Sequence, residues 1–201
     1  MTESPAYTVE SKEGDIEIRI YPGYILAQTD VKADFDEAIG MGFSILANYI
    51  FGGNRKKSKI SMTAPVSGEN LSESEKIAMT VPVTEESVDS EKIPMAAPVT
   101  EEKPDSHLYR ISFTMPSKYT LDTLPEPEDK RIKFKEVKNQ KMAVLRFKGR
   151  VNHKLADKEA AELKNWLEKN DIKPKSNFII AQYNHPTVPG FFRKNEVMVK
   201  I

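Results

Sequence analysis

Cysteine is absent from the 201 residues. Its absence excludes disulfides, thiolate metal sites, cysteine nucleophiles and any cofactor tethered through paired thiols. Net charge is missing as well, because 30 basic side chains cancel 30 acidic ones. No overall field then recruits nucleic acid or an anionic membrane, and a specific small partner is the expectation. Long apolar runs are lacking too. The longest candidate is broken by Asn48 and Gly52, short of the roughly 20 residues that cross a bilayer as a helix. The opening MTESPAYTVESK has neither the basic start nor the apolar stretch of a secretory signal, so a soluble, cytoplasmic protein without membrane insertion is expected. Gly-x-Ser-x-Gly, His-Glu-x-x-His and phosphate-binding glycine loops are also not found. An enzyme is therefore not expected, and a hydrolase would need Glu and Tyr to converge in space.

What is present alternates. Ile16, Ile18 and Ile20 have strand period, Tyr21-Pro22-Gly23 has turn chemistry, and Tyr24 to Val31 resumes a strand, which predicts a hairpin. Asp34 three residues before Glu37 reads as a capping box. Phe35, Ile39, Gly42, Leu46 and Tyr49 then recur at helical spacing until Gly52-Gly53. The second half repeats this order. Ile132 to Val137 and Met142 to Phe147 read as strands about a Lys138 to Lys141 turn, and Ala156, Ala160, Leu163 and Leu167 form a helical stripe. Trp166 beside that stripe is expected in core packing. Asn170 and Pro174 end the helix, and Phe178 to Tyr183 and Glu196 to Ile201 read as strands about a proline-rich loop.

Two hairpin, helix, strand-pair units, each with one covered sheet face, can join edge to edge into a barrel-like core that neither buries alone. The reading is one α+β domain over residues 1 to 201, with pseudo-twofold halves of about 12 to 115 and 131 to 201. A shorter repeat lies between the first helix and Tyr109: KISMTAPVS from Lys59, KIAMTVPVT from Lys76 and KIPMAAPVT from Lys92. Pro94 removes a donor from the third copy. The first copy is expected in the sheet and the others at an edge or in an excursion, with the Ser-rich, acidic stretches Gly68 to Glu75 and Glu85 to Glu91 as solvated loops.

Three passages, EIRIYPGYILAQTDV, IFGGNRKKSKISMTAPV and the closing YNHPTVPGFFRKNEVMVKI, resemble the SOUL heme-binding family in joint order. The resemblance implies a distorted antiparallel β-barrel with two flanking helices. It also implies a tetrapyrrole held non-covalently at a largely apolar groove, for buffering, transport or delivery. Some members have a described His iron ligand in the N-terminal half, whereas no His here precedes His107. His185 stands where the family often has a second Pro.

A porphyrin presents a flat apolar face and two propionates, so its binder needs an apolar shelf edged by cations. Phe51, Met62, Met79 and Phe191 are candidates for the shelf, and Arg55, Lys56, Lys59 and Arg193 for the propionates. His185 is the candidate heme-iron ligand, with Tyr183 as a further contact. The methionines also suit ordinary strand packing, and the basic cluster suits a helix C-terminus. His107 and His153 read as solvated. Burying several hundred Å² would give a gross gain on the order of 10 kcal/mol before association costs, so an iron bond is not obligatory. The alternative is a module for another amphipathic or cationic molecule, similar to effector-binding domains. Glu37 at the rim would favour a cation, and Arg55 with Lys59 would favour heme.

Overall fold

In the computed structural model, which describes residues 4–55, 83–87, 107–184 and 188–201, the alternating isoleucines open a strand far longer than a hairpin arm. The elements run β1 (Thr8–Glu13), β2 (Ile16–Lys32), α1 (Phe35–Ile50), β3 (Asn54–Arg55), β4 (Val83–Ser87), β5 (Leu108–Thr114), β6 (Glu126–Pro127), β7 (Lys133–Lys148), α2 (His153–Lys169), β8 (Ile179–Gln182), the short 3-10 helix η1 (Gly190–Phe192) and β9 (Lys194–Lys200). Six antiparallel strands close into a barrel in the order β2, β5, β4, β8, β9, β7 and back to β2, with β1 paired outside on β2. β5 pairs with β2 and β4 with β5, as β9 pairs with β7 and β8 with β9, and the halves meet at β2–β7 and β4–β8. The α+β barrel with two flanking helices and duplicated order is therefore as the sequence predicts.

The expected hairpin turns are corrected. Tyr21-Pro22-Gly23 and Lys138 to Lys141 lie inside β2 and β7, which pair along their lengths from Ile16↔Leu145 to Gln28↔Lys133. Tyr21 pairs with Gln140 and Gly23 with Lys138, so Pro22 falls opposite Asn139, whose φ is 45. Two local irregularities coincide there, and the register is the same on both sides. Pro22 has no ladder donor to lose where Asn139 leaves the extended region. A hairpin does form one strand earlier, β1 to β2, about Gly14 at φ 58.

A second correction concerns the repeats. The end of the second copy, Val83 and Thr84, runs with Glu85 and Glu86 into β4, a barrel strand paired on both edges. The sequence predicts a solvated loop from Glu85, yet Glu85 is buried. The first and third copies, with Lys59, Met62 and Met95, lie outside the described residues, as do Lys56 and Lys57, the start of the second copy with Met79, and His185.

Both helices lie on the outer barrel face. Leu46, Tyr49 and Ile50 of α1 pack on Ile25, Ala27, Ile111 and Phe113. Leu163 and Leu167 of α2 pack on Ala143, Leu145, Ile180 and Val197. Asp34 takes the N-cap position of α1 but makes no side-chain cap bond, unlike the expected capping box; Asn152 does cap α2, accepting from the Leu155 amide at 2.9 Å. Trp166 packs at the edge of the α2 core and donates to Glu13 at 2.9 Å. No helix among the described residues is long and apolar enough to cross a membrane.

Candidate functional site

The described site candidates fall into three places. Phe51 is the C-cap of α1 and 62% exposed, and Arg55 on β3 reaches Glu128 at 3.7 Å. Phe191 and Arg193 belong to η1 and its C-cap. Tyr49 beside Phe51 packs on Phe134 near the start of β7, whereas Gly190 sits on Arg150 just past its end. The structure thus places these two pairs at opposite ends of a 16-residue strand. Tyr183 points instead into the barrel. Glu37 is exposed on α1, and His107 and His153 pair at the surface with Asp34 at 3.5 Å and Asp157 at 2.7 Å.

The barrel interior carries a buried ionic network. Arg19, 1% exposed, donates to Glu196 through two bonds of 3.0 and 2.8 Å, to Glu17 at 2.8 Å and to Tyr21 at 3.2 Å. Tyr7 stacks over its guanidinium at 4.2 Å. Tyr183 donates to the same Glu196 carboxylate. Burial first, and the Glu196 charge second, hold the Tyr183 hydroxyl protonated far into the alkaline range. Burial likewise pushes Tyr24 up to about 12. Glu and Tyr do converge here, but each is committed to partners, and proton shuttling would require taking that network apart. The cavity among Tyr21, Tyr24, Tyr183 and Met198 measures about 120 Å³, well below the roughly 300 Å³ at which drug-sized sites begin.

A different arrangement surrounds η1. Phe191 and Phe192 are 69% and 64% exposed with ring centroids 4.3 Å apart. The turn is held by Phe192 N–H to Pro189 at 3.0 Å, Arg193 N–H to Gly190 at 3.0 Å and the Arg193 Nε–H to Val188 at 2.8 Å. Gly190 lets it sit close: an added Cβ would lie 3.3 Å from the Arg150 backbone. Immediately after it, Lys194 of β9 stands directly opposite Lys148 of β7. Like charges directly opposed across an antiparallel pair repel. Among the described residues no carboxylate pairs with Lys148, Lys194 or Arg150. A recess of about 740 Å³ begins at this edge, where Lys148, Lys194 and Arg146 stand with Tyr7 and Phe147, and the carboxylates of Asp15 and Glu196 also line it.

The sequence singles out Phe191 and Arg193 as candidates but gives no sign of Lys148 and Lys194, which become neighbours only through the β7–β9 register. Nor does it single out Arg19 and Glu196. Charged residues alternating with apolar ones suggest a solvated face, yet in a closed barrel that face is interior.

The family described as SOUL heme-binding protein matches residues 2–200. Comparison with curated protein sequences gives no match. Among solved structures, a hydrolase from Listeria innocua superposes with TM-score 0.53 at 13% identity, covering 94% of this chain and 93% of that one. The EcmrR C-terminal domain superposes with TM-score 0.58 at 9% identity, covering 96% of each. At such identities these likenesses show the fold alone. With the family match spanning nearly every residue, the chain belongs to the SOUL heme-binding protein family.

Proposed function

We propose that the protein binds heme or a related tetrapyrrole non-covalently, for buffering, transport or delivery rather than turnover, at the η1 end of β7 and β9. The observation that carries this reading is the exposed Phe191–Phe192 pair joined to the opposed Lys148 and Lys194. Exposed, preorganised aromatic faces suit a flat apolar macrocycle, and paired propionates relieve the repulsion between the two lysines. The neighbouring recess of about 740 Å³ is of ligand size, whereas the tyrosine cavity is not. Arg193 and Arg150 add positive charge at the same edge.

Absorption titration with heme and with iron-free protoporphyrin tests the proposal. Phe191→Ser with Phe192→Ser is expected to weaken heme binding at least about tenfold, equivalent to about 1.4 kcal/mol, without changing the circular dichroism spectrum. Lys148→Glu with Lys194→Glu should weaken it similarly and steepen its salt dependence less than in the parent. Iron-free porphyrin should bind within about threefold of heme, because apolar contact and charge supply most of the affinity. Unchanged affinity in both double variants would refute this location. A Soret shift abolished by His185→Ala would assign that residue to the iron. Loss of binding in Phe51→Ser alone would instead place the site at the end of α1.

A further inference from the structure

A second concavity lies on the outer barrel face, at the seam where the two halves join through β4 and β8. Glu85 of β4 is 5% exposed, and neither carboxyl oxygen has a hydrogen-bond partner. Its cross-strand neighbours are Ile111 on β5 and Ile180 on β8, both buried. Thr29 lies next in the same row, beyond Ile111, and its buried hydroxyl also lacks a partner. Above Glu85 opens a recess of about 410 Å³ walled by Phe35, Tyr109, Phe178 and His153. Phe35 meets Tyr109 and His153 edge-on at 5.8 and 5.4 Å.

The charged surroundings are acidic. From α1, Asp36 acts on Glu85; from α2, Asp157 lies at the rim, paired with His153; from β5, the titratable neighbour is Tyr109. None of the lining residues is Lys or Arg. Burial, with Asp36 in support, pushes the Glu85 carboxyl up to about 8. The described residues group no three metal-ligating side chains, and a single carboxyl among aromatic walls does not make a cation cage for a hard metal.

We infer that this recess binds a small organic ammonium ion, with Glu85 as its counter-charge and Phe35, Tyr109 and Phe178 as the surfaces facing the cation. Aromatic faces attract a quaternary or primary ammonium, and a desolvated carboxylate completes the pairing that the folded chain leaves unmade. The site is separate from the η1 shelf. Its occupant is a cation, whereas the ligand proposed for the shelf is an anion.

The test uses benzyltrimethylammonium, whose charge does not change with pH, against neutral benzyl alcohol, by calorimetry on the full chain. Because the cation binds ionised Glu85, affinity should rise about tenfold per pH unit up to about 8 and then flatten. Close to one proton should be released per ligand below that pH, read from buffers of differing ionisation enthalpy. Glu85→Gln should lose at least about tenfold in affinity together with the pH dependence and proton release, while its heme titration stays at the parent value. Phe35→Leu should weaken the cation and spare proton release. Equal binding by the parent and Glu85→Gln, preference for benzyl alcohol, or no binding at millimolar concentration would overturn the inference.

Discussion

Arg19 shows how one residue can hold the interior of a barrel together. Its guanidinium joins Glu17 and Glu196, carboxylates carried by different strands, and Tyr7 closes over it. Burial alone would raise the Glu17 carboxyl, but Arg19, Lys12 and Arg146 hold it below its usual range. Removing one partner of a buried pair leaves an uncompensated charge, so Arg19→Ala should cost about 3–5 kcal/mol in urea denaturation. Glu85 behaves oppositely. Its folded pKa of about 8 stands above the ordinary 4.5, so the folded state keeps a proton that the unfolded chain has already released. That contribution is whole below about pH 4.5 and is lost as pH rises toward 8. Between pH 6 and 8.5 the parent should therefore lose on the order of 2 kcal/mol more stability than Glu85→Gln. Parallel pH profiles for the two proteins would contradict this account.

At the scale of elements, Gly42 decides how closely α1 approaches β5. A Cβ there would stand 2.3 Å from Ile111 Cγ1 and 2.6 Å from its Cβ, so the helix must lift or Ile111 must move. Gly42→Ala should destabilise by about 1–3 kcal/mol despite the better helix propensity of alanine. Thermal melts should show no recovery on adding Ile111→Val, because valine lacks only the Cδ1 and keeps the Cβ, Cγ1 and Cγ2 atoms that the added methyl meets. The helices themselves were legible because 3.6-residue periodicity is local. The turns were not. Pro22-Gly23 and Lys138-Asn139 have turn chemistry, but the long-range pairing of β2 with β7 takes both segments as matched irregularities within strands. Glu85 was unreadable for a related reason, since a Ser-rich acidic stretch carries no mark of the helix and strands that bury it.

For the whole molecule, each half completes the other's core. Ile132 and Phe134 from the second half pack in the α1 core, while Ile16 and Phe35 from the first pack in the α2 core. The barrel also closes only through pairings between halves. Residues 1–130 and 131–201 expressed separately should each lack a cooperative unfolding transition, and mixing them should restore one. An independent transition in either fragment would show that the halves are separate folding units. The η1 site, by contrast, lies within the second half: Phe191 and Arg193 are two residues apart in sequence, and the β7–β9 pairing sets them beside Lys148.

Sequence alone determined the duplicated strand and helix order, the two amphipathic helices, the lack of thiol chemistry and the aromatic, basic FFRK run near the C-terminus. These are properties of composition and short-range period, which the chain carries whatever its fold. Tertiary structure decided which strands pair, which alternating charges face a closed interior, and which distant lysines and carboxyls come to lie beside aromatic surfaces. Those outcomes depend on register and burial, and both arise only when segments remote in the chain compete for the same hydrogen bonds and the same exclusion of water.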